Sequence, residues 1–231
     1  MRFAVIVFPG TWSDLDSQYS LQLAGQEADL IWHRETDLSR YDAIVLPGGF
    51  SYGDYLRCGA IARFSPVMQT VAAAAEAGTP VIGICNGFQV LCEAHLLPGA
   101  LMRNDSLQYR CEWVNLRTEN VTSAWTTGLE PGQVLSVPIS HGEGRFTADP
   151  AVLDELEATG RVAFRYCTDA GDVTPEANPN GSDRNIAGIV NARGNVLGMM
   201  PHPERACEPL LGGEDGLLIW RAVVECAKVG V

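Results

Sequence analysis

Cys85 stands in the stretch GICNGFQ, residues 83–89, directly after the apolar run PVIGI, with Gly83 and Gly87 on either side. That spacing matches the G-x-S-x-G elbow, in which a sharp strand-to-helix turn lifts a nucleophile above the carboxyl end of a sheet. Here the nucleophile is a thiol. The flanking glycines predict a backbone too sharply turned there to carry a side chain. A thiolate is the attacking species, and a helix starting at Asn86 would set its positive end beside the sulfur.

The chain has only four histidines, at 33, 95, 141 and 202, so the choice of base is short. His202 lies in PHPE, residues 201–204, where Pro203 disfavours a helical backbone at His202. An extended backbone puts residues i and i+2 on one face, their roots roughly 6–7 Å apart. Glu204 can then hold one ring nitrogen of His202 and leave the other for a thiol or substrate, the logic of a Cys-His-Glu triad. A third segment, LPGGFSYGD (46–54), follows an apolar strand. Its paired glycines let backbone N–H groups approach a ligand, so Gly49 and Asn86 are the candidate oxyanion-hole donors. The glycine-rich loop at 48–53 is expected to be exposed and open to rearrangement by a partner.

Each feature also has an ordinary structural reading. A cysteine in an apolar segment is commonly a small core residue, which suits Cys92, Cys111, Cys167 and Cys226. His33 and His95 fit structural positions. The cysteine, the PHPE turn and the paired glycines, however, each follow an apolar strand, and open α/β sheets bind ligands at strand carboxyl ends.

The elements that must position these groups are legible as alternating apolar runs and helical patterns. Residues 3–8, 29–33, 42–46 and 80–84 form strands, and a helix from Asp14 carries Leu15, Tyr19 and Leu23 one turn apart. A helix spans Ala60 to Ala77 and closes at Gly78. Residues 111–118 and 134–140 form strands at the far edge of the sheet, followed by a helix over 151–158 and a strand over 162–167. Residues 185–200 form a hairpin. A last helix over 214–229 turns Leu217, Trp220, Val224 and Ala227 to one side. The fold expected is α/β: a single three-layer domain, residues 1–231, with a mostly parallel central sheet flanked by helices, flavodoxin-like.

Composition narrows the classes. The 231 residues are 46% hydrophobic and 19% charged, with a formal net charge of −12 and no Lys/Arg cluster, which argues against nucleic-acid binding. No apolar run approaches the roughly 18 residues of a membrane span. Seven scattered cysteines without a C-x-x-C pair indicate free thiols in a cytoplasmic protein and no metal site.

FPG near the start, LPGGFSYGDYLR, GICNGFQVL, ISHGEGRF, NPNGS, MMPHPER and the late EDGL occur in that order along nearly the whole chain. In them the chain resembles the class I (triad-type) glutamine amidotransferases, and within these the branch of phosphoribosylformylglycinamidine synthase glutaminases. GICNGFQ and PHPE point to the superfamily; FSYGDYLR and SHGEGRF point to the branch. The resemblance implies hydrolysis of glutamine to glutamate and ammonia. In that reaction Cys85 would attack the amide, Gly49 and Asn86 would hold the oxyanion, and His202, oriented by Glu204, would move protons. It also implies that Gln89, Ser140, His141 and Gly142 contact glutamine. Further implied are a synthetase subunit that uses ATP and magnesium on formylglycinamide ribonucleotide, and a small bridging subunit. This chain has no G-x-x-x-x-G-K-[ST] phosphate loop, so no cofactor is expected on it. Where many members carry Asn-Cys-Asp after the first glycine motif, Trp12, Ser13 and Asp14 stand here.

Two other classes remain open at this point. A standalone cysteine hydrolase of the same broad fold would keep the elbow, and a non-catalytic binding module would keep the fold. Hydrolysis of esters or peptides independent of glutamine separates the first. The joint presence of Cys85, His202 and Glu204 weighs against the second.

Overall fold

The computed structural model describes residues 1–229. Eleven strands are present among them: β1 (Arg2–Val7), β2 (Glu27–Trp32), β3 (Ala43–Leu46), β4 (Val81–Ile84), β5 (Ala100–Met102), β6 (Arg110–Thr118), β7 (Val134–His141), β8 (Arg145–Thr147), β9 (Val162–Cys167), β10 (Ile186–Val190) and β11 (Val196–Met199). The helices are α1 (Asp14–Leu23), α2 (Pro66–Ala77), α3 (Asn86–Glu93), α4 (Pro150–Ala158) and α5 (Gly216–Val229). Nine strands form one sheet in the order β2-β1-β3-β4-β11-β10-β9-β6-β7, while β5 and β8 pair separately. Neighbours from β2 to β11 are parallel, and those from β11 to β7 are antiparallel. Helices flank this sheet, as expected of an α/β chain, and β6 and β7 do lie at its far edge.

The parallel half reads as continuous apolar sequence because both of its faces are covered. All four residues of β3, β4 and β11 are buried. The carboxyl ends of β3, β4 and β11 lead respectively into the Gly48–Gly49 loop, Cys85 and the His202 turn. Three short neighbouring strands therefore deliver the three chemical segments to one place. Among the described residues no helix is long and apolar enough to cross a membrane.

Several expectations shift. The run from Ala60 divides: a 3-10 turn over Ala62–Phe64 ends at Ser65, and α2 starts at Pro66, whose fixed φ suits a first helical position. Gly78 ends α2 in the left-handed region at φ 99°. On α1 the apolar row points outward: Leu15, Tyr19 and Leu23 are exposed, whereas Ser17, Ser20 and Leu21 are buried. The serines satisfy their hydroxyls on backbone carbonyls of Ser13 and Ser17, and their size lets α1 lie close against the turn at Pro203–Arg205. On α5 the inward residues are Leu217, Ile219, Trp220, Val223 and Cys226, with Val224 half-buried and Ala227 exposed. Trp220 meets Trp125 edge to face at 6.3 Å, so the inward stripe follows that aromatic pair. Cys111 is exposed rather than a core residue, since β6 lies next to the sheet edge.

Candidate active site

Cys85 occupies the residue between β4 and α3 with φ 51° and ψ −106°, a conformation sparsely populated by residues with a side chain. Its N–H bonds to Met199 O at 2.8 Å, tying the elbow to β11. The flanking glycines serve a different purpose from the expected one. Neither has a positive φ; the strained turn falls on Cys85 itself. A Cβ at Gly87 would lie 1.9 Å from Leu46 O, and one at Gly83 would lie 2.5 Å from Gly87 O. The glycines let α3 press directly onto β3 and β4, which brings the Asn86 N–H and the helix start close to the sulfur.

His202 and Glu204 are 2% exposed each, and Nδ1 lies 2.6 Å from Glu204 Oε1. The route differs from an extended i, i+2 pair. His202 is non-helical (φ −104°, ψ 86°), and Pro203–Arg205 then close a 3-10 turn that carries the carboxylate back to the ring. The His202 N–H bonds to Pro138 O at 2.8 Å, which fixes the turn against β7. Burial opposes charge on His202, but Glu204 and the nearby Cys85 sulfur outweigh it and raise its pKa above the ordinary imidazole value. Nε2 is sealed from solvent with no hydrogen-bond partner among the described residues, while the Cys85 Sγ–H points to Ser140 O at 3.7 Å.

The loop after β3 is held closely. Gly48 O accepts from the N–H groups of Trp12 and Ser13 at 3.0 and 3.1 Å, Phe50 N–H donates to Gly10 O, and Ser51 N–H donates to Asn86 Oδ1 at 3.1 Å. Gly48 and Ser51 are buried, so the expectation of an exposed, free loop holds only for Phe50 and Gly53. Gly10, at φ 88°, is required beneath this loop because a Cβ there would lie 2.3 Å from Phe50 O. Among the described residues neither the Gly49 N–H nor the Asn86 N–H has a hydrogen-bond acceptor. Both candidate donors are therefore free.

Two cavities meet at Cys85. The smaller, of about 100 Å³, is bounded by Ser13, Gly49, Tyr109, His202 and Arg205. The larger, of about 200 Å³, is bounded by Asp54, Cys58, Gln89, Ser140, Gly142 and Glu143, together with His141. Seven of the nine candidate residues line these two cavities, and Asn86 and Glu204 adjoin them through Cys85 and His202. Gln89 is tied at both ends, accepting from Asn86 Nδ2 at 2.8 Å and donating to Glu143 O at 2.6 Å. His141 is a buried scaffold residue: Nδ1–H donates to Asn104 Oδ1 at 3.2 Å and Nε2 meets Asn180 Nδ2 at 3.5 Å. Burial, and then the charge of His202, push its pKa down to about 3. Ser140 Oγ bonds to Tyr109 Oη at 2.8 Å.

Sequence reasoning missed Asp54, Cys58 and Glu143, although FSYGDYLR and SHGEGRF contain two of them. Cys58 Sγ–H donates to Glu143 Oε2 at 3.2 Å. Burial holds the Asp54 carboxyl above its usual range, with Glu143 adding to the shift and a Cys58 contact opposing it. Burial, with Asp54 and Glu143, pushes the Cys58 thiol far up, so it stays protonated. The NPNGS turn also goes deeper than a surface turn: Asn180 is fully buried and donates to Gly144 O at 2.9 Å. Among the described residues no group of three or more His, Cys, Asp or Glu side chains is placed to hold a metal ion.

Residues 1–212 match the family model of the CobB/CobQ-like glutamine amidotransferase domain. The phosphoribosylformylglycinamidine synthase subunit PurQ of Thermomicrobium roseum is 56% identical over 225 residues, covering 97% of this chain and 95% of that protein. The chain belongs to the PurQ family of glutamine amidotransferases. A further PurQ, from Moorella thermoacetica, is 56% identical over 97% of this chain and 96% of its own length. A chain in the structure of PurLQS from Thermotoga maritima superposes with a TM-score of 0.87 at 42% identity, covering 98% of both chains. A glutamine amidotransferase from Thermotoga maritima, at 16% identity and a TM-score of 0.54 over 99% of this chain and 92% of that one, shares the fold. PurQ family membership accounts for the motif order from FPG to EDGL.

Proposed function

We propose that this chain is the glutaminase subunit of phosphoribosylformylglycinamidine synthase, working as one glutamine amidotransferase domain in the cytoplasm. Cys85 Sγ attacks the side-chain amide carbon of glutamine as its thiol proton passes to His202 Nε2, and the developing oxyanion is held by the N–H groups of Gly49 and Asn86. His202 gives its Nε2 proton to the departing nitrogen, which leaves as ammonia, and a thioester to Cys85 remains. The neutral imidazole then takes a proton from water as its oxygen attacks the thioester. Glutamate leaves and the sulfur is regenerated. Glu204 keeps Nε2 directed at the reacting atoms and stabilises the imidazolium.

The chemistry rests on a single observation: Cys85 is held at φ 51°, ψ −106° beside two acceptor-free N–H groups and the buried His202–Glu204 pair. The larger cavity suits the rest of the substrate, because Asp54 and Glu143 offer carboxylates to the α-ammonium group of glutamine. Ser140, Gly142 and Gln89 line it, and His141 holds the 140–142 segment in place. Near-complete coverage at 56% identity with PurQ proteins supports glutamine as substrate and purine biosynthesis as the setting. Likeness to a chain of PurLQS supports two partners, a synthetase and a small bridging subunit. ATP and magnesium would act on the synthetase, which converts formylglycinamide ribonucleotide to formylglycinamidine ribonucleotide.

Mass mapping after treatment with a diazo-ketone analogue of glutamine tests the reading. The expected result is one adduct, on Cys85, prevented by glutamine. Burial raises the pKa of Cys58, Cys92, Cys167 and Cys207 and keeps those thiols protonated and slow to react. Adducts spread over several thiols, or none in the presence of the synthetase, would sink the proposal.

A further inference from the structure

Arg205 follows the triad carboxylate in sequence, and no step above uses it. Its side chain is 29% exposed and lies between three groups. Nη2 donates to Ser13 Oγ at 2.8 Å, Nε donates to Asp16 Oδ2 at 3.1 Å, and Nε lies 4.0 Å from Glu204 Oε1. Ser13 is 1% exposed, so this contact is made inside the protein. The same guanidinium borders the small cavity that Cys85, Gly49 and His202 share.

Ser13 also controls a peptide plane. Its N–H and that of Trp12 both donate to Gly48 O, and Ser13 Oγ would lie 3.2 Å from a Cβ at Gly48. Gly48 C=O and Gly49 N–H belong to one planar trans peptide and point in opposite directions. Fixing the carbonyl toward residues 12 and 13 therefore fixes the N–H away from them. A Cβ at Gly49, at φ 147°, would lie 2.5 Å from Trp12 N and 2.8 Å from Gly10 O, so the glycine lets this peptide sit against residues 10–12, where the two hydrogen bonds to Gly48 O hold it. Among the described residues the Gly49 N–H is left without an acceptor, as a donor reserved for substrate must be.

We infer that Arg205 is a positioning residue: through Ser13 it holds the Gly48–Gly49 peptide with the Gly49 N–H aimed at the Cys85 site, tying the oxyanion donor to the His202–Glu204 turn. Asp16 completes the arrangement by holding the guanidinium from the first turn of α1. A bidentate grip of this kind suits the planar guanidinium, whose fork presents donors to Ser13 and Asp16 together. Lysine carries a single ammonium and cannot reproduce both contacts in one plane. The inference rests on the glutaminase reading.

The test uses the assembled complex with its synthetase and bridging partners, and the variants Arg205→Ala, Arg205→Lys, Ser13→Ala and the Ser13→Ala/Arg205→Ala double. Glutamine-dependent and ammonia-dependent product formation are both measured. Loss of an oxyanion donor costs about 100- to 1000-fold, so a misaimed one in Arg205→Ala should lower glutamine kcat about 10- to 100-fold. KM should stay within about 3-fold, and ammonia-dependent turnover should be unchanged. Guanidinium ion added to Arg205→Ala should restore part of the rate, a response that a purely structural residue would not give. The double variant should be no slower than Arg205→Ala, because the two residues act in series. A kcat within about 2-fold of wild type, an effect carried by KM, or single effects that multiply in the double would overturn the inference. Should Arg205→Ala fail to fold, Ser13→Ala decides through the same kcat and KM comparison. A wild-type complex that uses ammonia but not glutamine would instead overturn the glutaminase reading.

Discussion

His202 Nδ1 and Glu204 Oε1 lie 2.6 Å apart in a pair sealed from solvent, while the opposite ring nitrogen, Nε2, has no partner among the described residues. The ring is thus fixed at one end and available at the other. A carboxylate so placed selects the Nδ1–H tautomer and stabilises the imidazolium, and together with the Cys85 sulfur it outweighs the burial that would otherwise keep His202 neutral.

Glu204→Gln is expected to lower glutamine turnover by at least about 100-fold, since an amide can present its N–H to Nδ1 and reverse the tautomer. Nitrogen-detected NMR of the imidazoles provides a second measurement. In the wild type His202 should titrate above the ordinary imidazole value; in Glu204→Gln it should titrate at or below it. The sign for stability follows from the raised folded-state pKa. The contribution of His202 is complete below about pH 6.5, where the unfolded imidazole is also protonated, and is lost as pH rises through the folded-state value.

His141 has the opposite dependence. Burial and the charge of His202 hold its pKa down to about 3, so below about pH 6.5 the unfolded chain binds a proton at this residue that the folded chain does not. Its share of stability is complete above about pH 6.5 and is lost progressively as pH falls towards 3. His141→Gln removes the titrating group. Its denaturant-measured stability should fall less steeply between pH 6 and 4 than that of wild type, by up to about 1.4 kcal/mol per pH unit. Parallel curves would show that His141 does not carry this term.

Cys85 gives an inverted glycine prediction. Alanine keeps the Cβ that strains φ 51°, ψ −106°, whereas glycine reaches that region freely. Both variants lack the nucleophile and should be inactive with glutamine. Cys85→Gly should nevertheless be more stable than Cys85→Ala, by roughly 1 kcal/mol, against the usual ordering in regular structure. Thermal unfolding of the two purified variants decides it.

The elbow was legible in the sequence because everything that builds it is local: an apolar strand, one residue and a helix start within ten positions. His202 and Glu204 were legible for the same reason, although proline at 203 produced a 3-10 turn rather than an extended pair. The misread helix faces have a physical cause. Hydropathy periodicity assigns the largest apolar side chains inward, but α1 approaches the site closely through Ser17 and Ser20, which leaves Leu15 and Tyr19 outside. What holds the substrate side was hidden because its partners lie far apart in the chain. His141 depends on Asn104 and Asn180, Cys58 meets Glu143, and Arg205 reaches back to Ser13. No local pattern encodes such contacts; only the order of motifs along the whole chain hinted that they belong together.

Two glycines in the same layer should separate stability from catalysis. A Cβ at Gly87 would lie 1.9 Å from Leu46 O, a backbone atom of a fully buried strand that cannot move aside. Gly87→Ala should therefore cost about 3 kcal/mol or more, or prevent folding, because α3 must lift from β3. At Gly48 the nearest atom to a Cβ is His202 Cε1 at 2.8 Å, followed by Ser13 Oγ at 3.2 Å and Cys85 Cβ at 3.4 Å, all of them side-chain atoms of the site. Relief of the 2.8 Å contact requires His202 to shift, which leaves the core intact but displaces the imidazole relative to the sulfur. Gly48→Ala should melt within a few degrees of wild type and still lose glutamine turnover about 100-fold, because small misplacement of reacting groups has effects of that size. Equal activity in Gly48→Ala and wild type would show that the space between Gly48 and His202 is not used in the reaction.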